Sequence, residues 1–368
     1  GGWALQDAAK SVITASMARK HVIQTDDADS LDLGPGLYDA DPAAEDDLWF
    51  LDAEAVDDAG FAPLPRSDQR KLFEPNDWLA AQAEHSGALA EVAQLFGALD
   101  ERLLQMGAGA LAHLALKEVE EFSWGIGDRI AADRLALWME MHLAGLQDDN
   151  QALMRGSWAF RRLTAPRLTS AATAADIVAQ LGRRNAEDDA GMIAELSEAM
   201  AGASQLHPII RGALLFHVWG VVGQGGAGTD IEAAVLGARL AAGSGRGGAL
   251  FLPLGRSRLR MAGPLALDKV AAWLQAAERG LLGALMQLDH LRHWQTASHA
   301  ALSGLSGKTP KALVELFLAL PAVNAALAEK QLGASRSSVQ RNLDVMVSRG
   351  LLREITGQGR YRVWVPKL

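Results

Sequence analysis

The sequence predicts a mainly α-helical protein that closes on a small helix–turn–helix module with a β-hairpin. Three observations carry this reading. Apolar residues recur at three- and four-residue steps from Asn76 to Ser204, and again over 265–300. Strict apolar/polar alternation, the mark of a half-buried strand, is confined to the last twenty positions. Charge is split along the chain: 308–368 carries ten Lys/Arg against four acids, a balance of +6, whereas 1–307 carries −15. An acidic body with one basic end implies an anionic partner for that end alone.

Taken in order, residues 1–23 read as a helix, with Leu5, Ala9, Val12, Ile13 and Met17 at helical spacing. From His21 to Pro65 there is no Lys or Arg and there are thirteen Asp/Glu. Such a run reads as a solvated acidic loop around the short apolar patch LWFL (48–51). A second reading is a charge mimic of nucleic acid that lies over the basic end. Beyond it, DWLAAQAEHSGALAEVAQLFGALDERLLQ and AADRLALWMEMHLAGL are amphipathic helical patterns. Breaks are expected at 125–127 (GIG), at 164–171 (TAPRLTSA) and around Gly202. In SAATAADIVAQLG, Ser170 reads as an N-cap and Gly182 as the stop. HPIIRGALLFHVWGVV reads as a helix opened by Pro208, and 265–300 as one or two long helices. The organisation expected is 1–75, an N-terminal helix and acidic loop; 76–303, an α-helical body; and 308–368, the terminal module.

Composition excludes several classes. With no cysteine there is no disulfide, no thiol nucleophile and no thiolate metal site. The most apolar run, GALLFHVWGVVG, is too short to span a bilayer and contains His217. The start, GGWALQDAAK, lacks the basic-then-apolar order of a secretory leader and an initiator Met, as in a trimmed chain. A cytoplasmic bacterial protein is the expectation.

Three motifs invite chemical readings. In WGVVGQGGAGTD (219–230), Gly223, Gly225 and Gly228 spell G-x-G-x-x-G. A dinucleotide fingerprint needs a preceding strand and an acid about 20 residues on to hold a ribose. Here a helix precedes, and after Glu232 the next carboxylate is Asp268. GLSGKT (304–309) has two residues between its glycines where a P-loop has four, so Thr309-Pro310 reads as the N-cap and first turn of the next helix. His290, His293 and His299 fall along one helix. Without a third convergent ligand, the i/i+3 pair reads as a polar face, and no metal is expected.

The terminal module is the most informative stretch. TPKALVELFLAL places Leu313, Leu316, Phe317 and Leu320 on one face. PAVNAALAEKQLGASRSSVQRNLDVMVSRG then reads helix, tight turn, helix. Ala326, Leu327 and Leu332 are expected in the core, Gly333 in the turn, and Ser335 as N-cap. Val339, Leu343 and Met346 form the buried stripe of the second helix (335–349), which Gly350 ends. Off that stripe lie Arg336, Ser337, Ser338, Gln340, Arg341 and Asp344. LLREIT and YRVWV flank GQGR, predicting a hairpin wing over 351–365 with Arg360 and Arg362 at its tip and strand face. A second helix of this kind enters the DNA major groove, where Arg and Gln bond base edges bidentately and Ser bonds bases or phosphates. The DNA-binding set expected is therefore Ser335, Arg336, Ser337, Ser338, Gln340, Arg341, Arg360 and Arg362.

The stretch from LALPAVNAALAEKQLGASRSS to GRYRVWV resembles the winged helix often attached to Fic proteins, which transfer AMP from ATP to target hydroxyls. More closely, it resembles an uncharacterised bacterial family with an α-helical domain of unknown function followed by a helix-turn-helix DNA-binding domain. Upstream, LHPIIRGALLFHVWGVV resembles the Fic helix that leads into the catalytic loop, and LFLPLGRSRLRM with AAWLQAAERGLLGALMQLDHLRHW resembles the segment after it. SVITASMARKHV sits where Fic proteins often carry a Ser-rich helix. The resemblance implies a degenerate Fic-like helical body followed by a winged helix-turn-helix. Fic catalysis uses His-Pro-Phe-x-x-Gly-Asn-Gly-Arg. This chain has GVVGQGGAGTD there, without His, Asn or Arg, so no catalytic residue carries over and no enzyme activity or cofactor is expected. Gly223, Gly225, Gly226 and Gly228 remain as an anion or nucleotide loop, because backbone N–H groups alone can bind a phosphate. The function expected is sequence-specific binding of double-stranded DNA by a homodimeric transcriptional regulator, with a small-molecule effector unidentified. A nucleotide-dependent transferase and a protein-interaction adaptor are the alternatives.

Overall fold

The structure is a computed structural model that describes residues 73–141, 149–182, 186–223, 227–357 and 361–368. All of them belong to one compact unit, Pro65–Leu368. The helix read over 1–23 and the acidic stretch 24–62 lie outside the described residues.

The body is helical throughout. Helices α1 (Pro75–Glu84), α2 (Ser86–Met106), α3 (Ala108–Ile126), α4 (Ala132–Met141), α5 (Asn150–Leu163), α6 (Ala174–Ala179) and α7 (Ala186–Ala199) come first. A pair, α8 (Pro208–Val222) and α9 (Ala227–Ala241), follows, and then α10 (Ala266–Leu302). The periodic run over 77–105 divides at His85, and Gly127, in the left-handed region at φ 93°, ends α3 where GIG was read as a break. The N-cap after the 164–171 break is Thr173 rather than Ser170. Its hydroxyl accepts from Asp176 N while the Asp176 carboxylate accepts from Thr173 N, a reciprocal capping box that Ser170 has no partner to form. Pro208 opens α8 as expected, and the His207 side chain accepts from Ile209 N.

Helices α8 and α9 are the centre of the body, buried on nearly every side. Their backbones cross closely: a Cβ at Gly212 would collide with the Gly237 carbonyl oxygen, and one at Gly237 would sit 2.7 Å from that of Gly212. Helices α5 and α3 pack on α9, and α10 spans α1, α2, α3 and α8. The segment 246–255 crosses the interior without regular structure, so its amides need other partners. Buried carboxylates supply them. Asp100 accepts from Arg246 N (2.5 Å) and Ala249 N (2.7 Å), and Glu118 from Leu254 N (2.6 Å) and Gly255 N (3.0 Å). Arg239, fully buried, is held by Gln180 Oε1 (2.5 Å) and the Pro166 carbonyl (2.5 Å). Among the described residues no helix is long and apolar enough to cross a membrane.

The chain ends in α11 (Thr309–Ala319), β1 (Val323–Asn324), α12 (Ala325–Leu332), α13 (Arg336–Ser348), β2 (Leu352–Glu354) and β3 (Val363–Pro366). The sheet order is β1-β3-β2, antiparallel throughout, with Val323 opposite Trp364 and Arg353 opposite Val365. Strand β1 corrects the expectation of no strand before the last twenty residues: two residues are too short for alternation to show. The module has its own core of Leu313, Val314, Phe317, Val339, Leu343 and Trp364, reached from the body by Trp294 of α10.

Candidate nucleic-acid interface

The helix–turn–helix is assembled by local signals. Asn324 caps α12, accepting from Leu327 N at 2.8 Å. Gly333, at φ 59° and ψ 27°, makes the left-handed turn that a side chain would strain. Ser335 caps α13, accepting from Ser338 N at 3.3 Å. Val339, Leu343 and Met346 are fully buried, as their spacing requires. In α12 the expected core is shifted. Ala326 is exposed, Leu327 and Leu332 are half-buried, and Ala328 takes the buried position, because α12 is short and packs on α11, α13 and β1 along one line. Leu320, past the end of α11, is half-buried, while Leu313, Leu316 and Phe317 are buried. Helix α11 starts at Thr309 with Lys308 as N-cap and no side-chain cap bond, so Thr309 is its first residue rather than its cap.

The expected contact residues divide three ways. Ser337, Gln340, Arg341 and Asp344 line one shallow outer groove along α13 with Val345 and Ser348. Gln340 Nε2 donates to Asp344 Oδ1 at 2.9 Å, which fixes both side chains on that face. Arg341 is exposed and has no ion-pair partner among the described residues. Arg336 is exposed at the helix start, 3.8 Å from Glu329. Ser335 and Ser338 serve the fold: Ser335 is the cap, and half-buried Ser338 faces Thr309, their hydroxyl oxygens 3.3 Å apart. Asn342, not singled out from sequence, is buried and donates to the Ser338 carbonyl at 2.8 Å.

In the wing, Arg362 lies over the Trp364 ring (5.1 Å) and 3.7 Å from Asp344, joining the strand to the outer face of α13. Arg360 lies outside the described residues. The turn is organised by Glu354, whose Oε1 accepts from Thr356 N (2.7 Å) and Gly357 N (2.9 Å). Burial opposes its charge, but a bond from the Thr356 hydroxyl, these two amide bonds and Arg362 together hold the Glu354 carboxyl below the ordinary range. Lys308, Lys311 and Lys330 are exposed around the module; their signal in the sequence was only the local charge excess. Arg353, by contrast, is turned to the body, where it clasps Asp133 of α4 with two bonds (2.5 and 3.1 Å).

The Gly-rich stretch is remote from this module in sequence. Gly223 ends α8 and its carbonyl accepts from the Thr229 hydroxyl at 2.8 Å; Gly228 lies in the first turn of α9. That turn also carries Asp230, paired with Arg260 at 2.8 Å. Gly225 and Gly226 lie outside the described residues. His293 Nδ1 meets the carbonyl of Asp289, one turn back on its own helix, and no cluster of three metal-ligating side chains occurs among the described residues.

Residues 310–365, from α11 to β3, match a family described as an HTH DNA binding domain. The chain is thus a mainly helical body carrying a C-terminal HTH DNA-binding domain. Among curated proteins, none matches it.

Proposed function

We propose that the protein binds double-stranded DNA sequence-specifically as a transcriptional regulator. Helix α13 enters the major groove and the wing meets the adjoining backbone or minor groove. The observation that carries this is the disposition of α13. Its outer groove of Ser337, Gln340, Arg341 and Asp344 is open, while the opposite side of the module is fastened to the acidic body. Arg341, a bidentate donor with no ion-pair partner among the described residues, lies in the second turn of this exposed helix and suits a base edge. Ser337 and Arg336 near its N-terminus suit phosphates. One such module gives limited affinity, so the protein acts as a homodimer on two half-sites, in a bacterial cytoplasm. No AMP-transferase chemistry is assigned, since the loop after α8 lacks the His, Asn and Arg of the Fic motif.

Selection from a random-duplex library at near-physiological salt tests this. The expected result is an enriched palindromic motif whose binding weakens steeply with salt. No enrichment by folded protein overturns it in favour of a protein-interaction module.

A further inference from the structure

A cavity of about 660 Å³ opens between α3, α10 and the crossing segment 251–256. That volume suits a small molecule. Its apolar wall is made by Leu114, Phe251, Leu254, Ala284 and Met286. Into this wall is set Glu118, only 5% exposed. Its Oε1 accepts both amides of the crossing segment, and Oε2 has no partner among the described residues. Two cations that line the cavity are already held: Lys117 by Glu120 (2.6 Å) and Glu121 (2.9 Å), and Arg256 by Glu121 (3.1 Å) and the face of Trp124 (4.7 Å). Arg279 and His290 stand at the exposed rim, where solvent screens them. A buried carboxylate without a cation is costly unless something pairs it. Burial accordingly pushes Glu118 up to about 7, against the pull of its two amide bonds.

The cavity is kept open by sequence. Gly280 is required, because the Pro253 carbonyl lies where its Cβ would be. Gly283, one turn on, has open space there. Glycine in mid-helix costs about 1 kcal/mol relative to alanine, and here it leaves the cavity unfilled.

The cavity also borders both helices that hold the HTH domain. Five residues before Glu118, the His113 ring meets the Phe317 carbonyl of α11 at 2.9 Å. Gln287, on the cavity wall, donates to the His113 carbonyl at 3.3 Å. Helix α10 continues to Trp294, which donates to the Leu351 carbonyl at 2.7 Å, next to β2.

We propose that this cavity binds a small primary amine with an apolar body, its ammonium paired with Glu118, and that occupancy changes the DNA affinity of the HTH domain. The second half rests on the DNA-binding reading above. The test is calorimetric titration of the full chain with phenethylamine, without DNA, beside 2-phenylethanol and phenylacetate. Saturable binding of the amine is expected, at least tenfold tighter than either analogue and at least tenfold weaker in Glu118→Gln. Gly283→Leu fills the open space without a backbone clash and should abolish binding with an unchanged circular dichroism spectrum. Absence of saturable binding, a preference for the alcohol or the acid, or equal binding by both variants overturns the site. Repeating the DNA titration with phenethylamine present should shift affinity at least threefold. An unchanged affinity overturns the regulatory half. Failure to enrich any duplex defeats the DNA reading and leaves the DNA-free titration to decide the cavity.

Discussion

Arg341 and Ser335 stand six residues apart and do different work. Arg341 is exposed on the open groove, and the proposed function assigns it to a base contact. Arg341→Ala should lose about 1–3 kcal/mol of discrimination at one base position, measured by competition between duplexes that differ at single positions. Uniform loss across all sequences would move it to the phosphate-contact class. Ser335 satisfies the Ser338 amide at the start of α13. Ser335→Ala should therefore cost about 1 kcal/mol of stability in urea unfolding, with DNA specificity retained. The Ser335 cap and the outward position of Arg341 were legible from residue type and spacing. The roles of Ser338 and Asn342 were not, because the polar side of a helix gives no sign of which polar residue meets a neighbouring element. Only the packing of α11 against α13 brings Ser338 to Thr309, while buried Asn342 turns back to the Ser338 carbonyl of its own helix.

At the scale of elements, the decisive contact is between α3 and α11. Gly109 lies so close to the α11 terminus that a Cβ would collide with Leu318 and Ala319. Gly109→Val should push the two helices apart and detach the HTH domain from the body. The expected readout is faster proteolytic release of the C-terminal fragment and a lower melting temperature. An unchanged digestion pattern would show that the junction does not depend on this approach. Strand β1 belongs to this scale as well. It exists because Val323 and Asn324 find β3, a partner nearly forty residues on, and a two-residue strand has no periodicity of its own.

For the whole molecule, buried titratable groups couple stability to pH. Burial lowers His113 to about 4 and His217 to about 3, from 6.5. Both are neutral when folded, so their contribution is present above pH 6.5 and is lost as pH falls toward those values. Glu118 works in the opposite sense: its contribution is complete below pH 4.5 and is lost as pH rises to about 7. At about 1.4 kcal/mol per tenfold change in proton affinity, His113 alone amounts to roughly 3 kcal/mol. Two histidines outweigh one carboxyl, so melting temperature should fall on acidification below pH 6.5. Glu118→Gln should steepen that fall, as differential scanning calorimetry from pH 7 to 4.5 would record. A profile flat over that range would refute the assignment of His113 as neutral in the junction.

By itself the sequence determined the local part of this protein: a helical body with Pro208 opening α8, the turn at Gly333, the cap at Ser335, the buried stripe of α13, the wing strands and the basic excess of the last sixty residues. These follow from periodicity, backbone preference and charge, which act between near neighbours. What only the tertiary structure decided is long-range. Arg353 is tied to the body, because Asp133 comes to meet it across the fold. Glu118 and Asp100 hold a crossing segment more than a hundred residues away. His113 and Trp294 fasten the HTH domain through backbone carbonyls, and a carbonyl leaves no mark on the residue type that carries it.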